Sequence, residues 1–292
     1  MRTSAVARRT EWRMLPAARP DTGTDIDSPY ALPRDATARF NADGFIKLRN
    51  VLSPATLRHY GQEITRLTIA LATQTRPLAE RSTYDKAFLQ VINLWESSPL
   101  VREFVLGKRL GRIAAELLQV DGVRLYHDQS LYKEPGGGIT PAHADQYYWP
   151  LSSDRVVTAW IPLEAVPRHK GPLGFYVGSQ AVEFGRDLGI SDESEREITR
   201  HMEARGFEFR EEPFELGEVS FHLGWTFHRA GVNASTDPRS VMTVIYMDSA
   251  MRLKAPVNDN QRKDWAQWCP GALVGEVIQT PKNPLIYQRS AG

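Results

Sequence analysis

Within the stretch TPAHADQYYWP, Thr140 to Pro150, a histidine and an aspartate stand one residue apart. In an extended chain, side chains i and i+2 leave the same face. His143 and Asp145 would then project together and offer an imidazole nitrogen and a carboxylate oxygen to one ion. Alone, a His-x-Asp pair is a weak signal, and a surface or core histidine is the commoner outcome. A third donor comes from FHLGWTFHRAGVNASTDPRS, where His228 ends a predicted strand able to lie beside the first. Two histidines and one carboxylate occupy one face of an octahedral ion and leave the other open, the donor set of non-haem Fe(II) oxygenases. Arg239 opens the next predicted strand, after NASTDP turns the chain. A guanidinium there can hold a carboxylate through a bidentate fork, such as the far end of a 2-oxo acid whose near end chelates the metal. For Arg239 taken alone, a surface salt bridge is the simpler reading.

These groups need a rigid scaffold, and the chain changes texture to supply one. The first half reads mainly helical: SPATLRHYGQEITRLTIALATQ opens with Ser53 as N-cap and Pro54 at the first helical position. Its Leu57, Tyr60, Ile64, Leu67 and Leu71 recur at helical spacing. YDKAFLQVINLW and LVREFVLGKRLGRIAAELLQ each fit a further short helix. From Val123 onward, VRLYHDQSLYKEPGGG, RVVTAWIPL, GEVSFHLG and RSVMTVIYMD read as strands separated by Gly, Pro and Asn turns. Short strands at this spacing suggest an antiparallel sandwich or jelly roll. The polar segment SDESEREITRHMEARG interrupts them as a helical insertion, either a lid or a decoration. The expected organisation is a tail over residues 1–33, poor in apolar residues and disordered, followed by a single domain over 34–292 with N-terminal helices packed on a β core.

Composition narrows the function classes. Lys plus Arg number 36 against 35 Asp plus Glu, so the net charge of +1 gives no electrostatic case for nucleic acid. The single cysteine, Cys269, forms no internal disulfide and rules out a thiolate-rich zinc or iron–sulfur site. No window approaches the roughly 18 consecutive apolar residues of a membrane span. The Arg-rich N-terminus lacks the apolar core of a secretory signal. A reducing, cytoplasmic setting, a small-molecule substrate and no obligate protein partner are the expectations.

Taken in order, FNADGFIKLRNVLSPATL, HDQSLYKEPGGG, HADQYYWP, VTAWIPLEAV, GPLGFYVGSQ and HRAGVN leading to Arg239 carry a family resemblance over Phe40 to Asp248. The chain resembles the phytanoyl-CoA dioxygenase family of Fe(II)- and 2-oxoglutarate-dependent oxygenases. That resemblance implies a mainly β fold with flanking helices, a double-stranded β-helix of the jelly-roll, cupin-like kind, with the metal at one open end. It implies Fe(II), 2-oxoglutarate and O₂ as cofactor and co-substrates. His143, Asp145 and His228 match the iron ligands, and Arg239 matches the anchor of the 2-oxoglutarate distal carboxylate. Trp160 matches a position packed on the co-substrate, Gln129 one near the co-substrate or metal, and Gln90 a further contact. Ala230 stands where some members carry serine, and the usual PGSH reads VGSQ at Val177 to Gln180. Because Asp145 fills the position that related halogenases leave open for chloride, halogenation is disfavoured.

The implied reaction is hydroxylation of an unactivated C–H bond in a small molecule or biosynthetic intermediate, with release of succinate and CO₂. Desaturation, epimerisation and ring formation use the same site. Trp149 and Tyr147 are candidate pocket walls, Trp149 by strand alternation from His143 and Asp145. Lys170, in the basic loop PRHKG, is a candidate receiver for an anionic substrate group. His127 shares the strand parity of Gln129; it and His59, His169, His201 and His222 receive no role. Two readings of other classes stand beside the oxygenase: a non-catalytic jelly-roll binding module, and a cupin-like zinc or manganese enzyme without an oxo acid.

Overall fold

The Ser53 hydroxyl accepts a hydrogen bond from the Thr56 amide and starts α2, Pro54–Leu71, at the place the sequence indicates. The computed structural model describes residues 23–290. Before α2 come α1, Ala36–Asp43, and β1, Phe45–Leu48; after it come α3, Thr83–Ala87, and β2, Leu89–Ile92. Next are α4, Pro99–Val105, α5, Lys108–Leu118, β3, Gly122–Lys133, β4, Thr140–His143, β5, Val156–Pro162, and β6, Leu173–Tyr176. The chain continues through α6, Asp192–Ala204, β7, Phe209–Glu211, β8, Val219–Leu223, and β9, His228–Ala230. It closes with β10, Arg239–Asp248, α7, Asp259–Trp268, and β11, Leu285–Gln288.

The strands form two antiparallel sheets, as the jelly-roll expectation requires. The larger has the order β1-β8-β5-β10-β3-β11, with β2 also paired to β3; the smaller has the order β4-β9-β6-β7. Every residue of β5 is buried, because its sheet is covered on both faces. Val157, Ala159 and Ile161 join one core with Tyr60, Ile64, Phe104 and Ile113 of the helices. The alternate residue Trp160 joins Leu131, Leu173, Phe175, Ala230 and Val241 in a second core between the sheets. Each large apolar side chain buried in this way contributes roughly 1.5–3 kcal/mol. Strand alternation therefore assigns one face of the large sheet to the helices and the other to the site.

Three local expectations change. YDKAFLQVINLW is a single turn of helix followed by β2, because residues 89–92 find hydrogen-bonding partners along β3, Leu89 opposite Tyr132 and Ile92 opposite Gln129. LVREFVLGKRLGRIAAELLQ is two helices, α4 and α5, broken where Gly107 adopts an extended conformation. Ile26 packs at that break, and a Cβ on Gly107 would lie 3.0 Å from the Ile26 Cβ. The tail expectation falls largely outside the described residues, but its described end is packed: Ile26 is 4% exposed, and the Asp25 carboxylate accepts from the Ser53 amide, the Thr56 hydroxyl and Arg109. Among the described residues no helix is long and apolar enough to cross a membrane.

Candidate active site

β4 and β9 pair in register so that His143 lies opposite His228. Their imidazole centroids are 4.2 Å apart. Each ring uses Nδ1 on a nearby carbonyl, His143 on Pro141 O at 2.7 Å and His228 on Thr226 O at 2.9 Å. A carbonyl accepts only an N–H, so both rings carry the proton on Nδ1 and present a bare Nε2. Asp145 completes the set: His143, Asp145 and His228 bring one ligand atom each within 4.8 Å of one another. Asp145 Oδ1 lies 3.5 Å from His143 Nε2 and 3.7 Å from His228 Nε2.

Asp145 is not on the strand. β4 ends at His143, and Asp145–Tyr148 forms a 3₁₀ turn. The carboxylate is held instead by its other oxygen, which accepts from Thr158 Oγ1 at 3.0 Å and faces His222 Nε2 at 3.2 Å. Thr158 and His222 are themselves register partners on β5 and β8. Burial, then His143, pushes His228 well below the ordinary imidazole value, which keeps it in the neutral ligating form.

The turn also redistributes the aromatic run. Trp149, 5% exposed, lines the cavity above the triad, but the turn and not strand parity puts it there. Tyr147 is directed away from the cavity: its ring packs on Gly189, and its carbonyl accepts from Gln261. Tyr148 lines the cavity in its stead, with its hydroxyl accepting from the Ile190 amide at 2.8 Å.

The cavity has a volume of about 320 Å³ and gathers most of the sequence candidates: His143, Asp145, His228, Arg239, Trp160, Gln129, Gln90 and Trp149. Arg239 is 2% exposed, and its guanidinium lies 5.4 Å from the Trp160 ring centre. Nη1 donates to Gly171 O at 2.5 Å, while the buried Nε has no partner. Gly171 has a left-handed φ of 65°, and a Cβ there would run into the Gly231 carbonyl. Burial pushes Arg239 down to about 10, with Glu164 opposing. Glu164 is already engaged by Lys170 Nζ at 2.7 Å and the Ser240 amide at 2.9 Å. Nearby, fully buried Lys133 donates to Gly138 O, Gly231 O and Thr140 Oγ1, and burial followed by the Arg239 charge pushes it down to about 6. A buried guanidinium whose Nε lacks a partner, and whose neighbouring acid Glu164 is already engaged, makes a pocket for an added carboxylate.

Gln129 and Gln90 are joined by a hydrogen bond of 2.6 Å, and Tyr84 donates to Gln90 at 3.0 Å. Lys170 does not line the cavity; its ammonium is taken by Glu164 and Pro238 O. Helix α6 is docked: Glu195 accepts from the Ala142 amide at 2.6 Å and from Arg229 at 2.7 Å, each next in sequence to a triad histidine. Sequence reasoning missed His222, Thr158, Tyr84 and Lys133, whereas Tyr148 belongs to the aromatic run, Tyr147 to Trp149, from which pocket walls were expected. Only Thr158 carried a signal, as the one hydroxyl in the apolar run RVVTAWIPL.

The donor set fits a first-row divalent ion, and the orphaned Arg239 Nε fits an acid beside it. No curated protein matches the chain. Among solved structures it is similar to the non-heme alpha ketoglutarate dependent carbocyclase SnoK from nogalamycin biosynthesis, with TM-score 0.72, 22% identity, and coverage of 89% of this chain and 100% of that one. The epimerase SnoN, in complex with Fe3+, alpha ketoglutarate and nogalamycin RO, gives TM-score 0.70 and 24% identity over 86% of this chain and 97% of that one. EctD from S. alaskensis with bound Fe gives TM-score 0.65 and 19% identity over 94% and 97%. These likenesses establish the fold. The sequence itself matches the phytanoyl-CoA dioxygenase (PhyH) family over residues 40–241. The chain belongs to the phytanoyl-CoA dioxygenase family and is an Fe/2-oxoglutarate-dependent oxygenase.

Proposed function

We propose that this oxygenase hydroxylates an unactivated C–H bond of a small molecule, with His143, Asp145 and His228 holding Fe(II) and Arg239 holding the distal carboxylate of 2-oxoglutarate. The observation that carries the reading is one cavity containing both the His-Asp-His triad and a buried guanidinium without a carboxylate partner. Iron with 2-oxoglutarate and O₂ supplies the oxidising power to break a C–H bond, while 2-oxoglutarate becomes succinate and CO₂. The chain's own residues do the rest. Nδ1–H bonds to Pro141 O and Thr226 O orient the two imidazoles. Thr158 and His222 fix Asp145, Trp160 walls the co-substrate side, and Leu131, Leu173 and Ala230 keep it dry. With Asp145 occupying the third protein position, chloride has no slot on this face.

The structural neighbours include an epimerase and a carbocyclase. Epimerisation or ring closure at the same triad is therefore the second reading, and product analysis separates the outcomes. Incubation with Fe(II), 2-oxoglutarate and oxygen should form succinate in the wild type and none in Asp145→Ala. Equal succinate from both proteins would sink the assignment.

A further inference from the structure

The cavity continues past the triad, away from Arg239. On β10 Arg239 pairs with Lys133 of β3, and Ile245 pairs with His127. Six residues of strand separate these levels, roughly 20 Å. At the His127 level the wall is completed by α7, residues 259–268, which lies beyond the 40–241 segment shared with the family. Helix α7 contributes Trp268 and Asp264 to the cavity lining.

Asp264 is held firmly and has spare capacity. One oxygen accepts from Tyr126 OH at 2.9 Å and the other from Trp268 Nε1 at 3.2 Å. An ionised carboxylate can accept about four hydrogen bonds, so two lone pairs remain. Among the described residues no basic side chain forms an ion pair with Asp264. Burial raises its carboxyl to about 7, the signature of an acid lacking a counter-charge.

Around it stand aromatic faces. His127 is 5.5 Å from the Trp268 ring and 6.3 Å from Trp149, with Trp149 edge-on to Tyr126 at 5.6 Å. Burial pushes His127 down to about 4, so the imidazole is a neutral ring and repels no cation. Trp268 already serves as a cation platform, with Lys282 Nζ 5.9 Å from its centre and bound to Glu96. A single carboxylate framed by tryptophan and tyrosine rings attracts ammonium groups through charge and ring quadrupole together. A phosphate or carboxylate at this end would meet the Asp264 carboxylate, and the neighbouring cation, Lys282, is already engaged by Glu96.

We propose that Asp264, Trp268, Trp149, Tyr148 and His127 form a subsite for a cationic amine on the substrate, with Asp264 as its counter-ion. The proposal deepens the oxygenase reading and rests on it for the rest of the cavity. It restricts the substrate to amine-bearing molecules with apolar or aromatic surface beside the nitrogen, and disfavours acyl-phosphate or thioester-nucleotide substrates entering charged end first.

The test is calorimetric titration of the full chain, loaded with Fe(II) and 2-oxoglutarate without oxygen, with three probes of similar size. These are 2-phenylethylammonium, 2-phenylethanol and 3-phenylpropanoate. The wild type should bind the amine about tenfold tighter than the alcohol, with the acid weakest. In Asp264→Asn that advantage should vanish. Equal binding of amine and alcohol, no binding of any probe, or an amine preference that survives in Asp264→Asn would each overturn the subsite. The visible band of the Fe(II)–2-oxoglutarate chelate, read in the same wild-type sample before any probe is added, tests the oxygenase reading separately. If that band fails to form, the probe ranking still decides the amine subsite.

Discussion

His222 Nε2 lies 3.2 Å from Asp145 Oδ2, the oxygen to which Thr158 Oγ1 also donates at 3.0 Å, while Oδ1 faces the two triad imidazoles. The carboxylate is thus divided: one oxygen is fixed by the large sheet, and the other is left for an ion. Since Asp145 sits on a turn and not on a strand, these two side chains do the aiming that backbone pairing does for His143 and His228.

Removing them should loosen the metal site without removing a ligand. His222→Phe and Thr158→Val should each weaken Fe(II) or Mn(II) binding about 10- to 100-fold, the range typical of lost partners to metal ligands. Metal titration followed by paramagnetic resonance of Mn(II) reads this directly. Unchanged affinity in both variants would show that the turn alone positions Asp145.

Glu195 joins α6 to both triad strands through Ala142 N and Arg229. In Glu195→Ala both donors lose a charged acceptor, and stability should fall by about 1–3 kcal/mol in urea unfolding. Glu195→Gln should recover part of it, because an amide oxygen still accepts from the Ala142 amide. A lid would give a different result: faster substrate exchange at unchanged stability.

Much of this was legible in the sequence because its physics is local. Ser53-Pro54 starts a helix wherever it sits in the fold, and alternation in RVVTAWIPL separates core-facing from site-facing residues. His143, Asp145, His228 and Arg239 were readable as a set because a donor set has a chemistry independent of its surroundings. The contribution of His222 was hidden, since its meaning depends on β8 pairing with β5 opposite Thr158, a register that no spacing in FHLGWTFH reveals. The strand parity used for Trp149 does not hold, because the 3₁₀ turn at Asp145–Tyr148 breaks the alternation; the turn itself brings Trp149 to the cavity and turns Tyr147 away. Lys170 was read as a free cation because Glu164, its partner, lies across a loop turn. β2 was read as helix because its strand character comes from β3.

Asp128 gives a pH dependence with a defined sign. The carboxyl is fully buried on β3, and burial raises it to about 7 against the lowering effect of the Trp95 and Leu94 amides. An unfolded aspartate titrates near 3.9, so between about pH 4 and 7 the folded state binds more protons than the unfolded one. The stabilisation is complete below about pH 4 and is lost as the pH rises through about 7. Denaturant unfolding across this window should show stability declining with pH, and Asp128→Asn should flatten the decline by up to about one linked proton. A variant with the wild-type slope would show that Asp128 is ionised throughout.

The central claim is that His143, Asp145, His228 and Arg239 together hold Fe(II) and 2-oxoglutarate, and anaerobic titration tests it most directly. Fe(II) and then 2-oxoglutarate are added to the metal-free protein while the weak visible charge-transfer band of the chelate is followed, with His228→Ala and Arg239→Ala alongside. The band should form in the wild type, be absent in His228→Ala, and require at least about 30-fold more 2-oxoglutarate in Arg239→Ala, as expected for a buried guanidinium–carboxylate pair worth 2 kcal/mol or more. Bound iron with no band in the wild type, or a band indifferent to Arg239, would contradict the assignment.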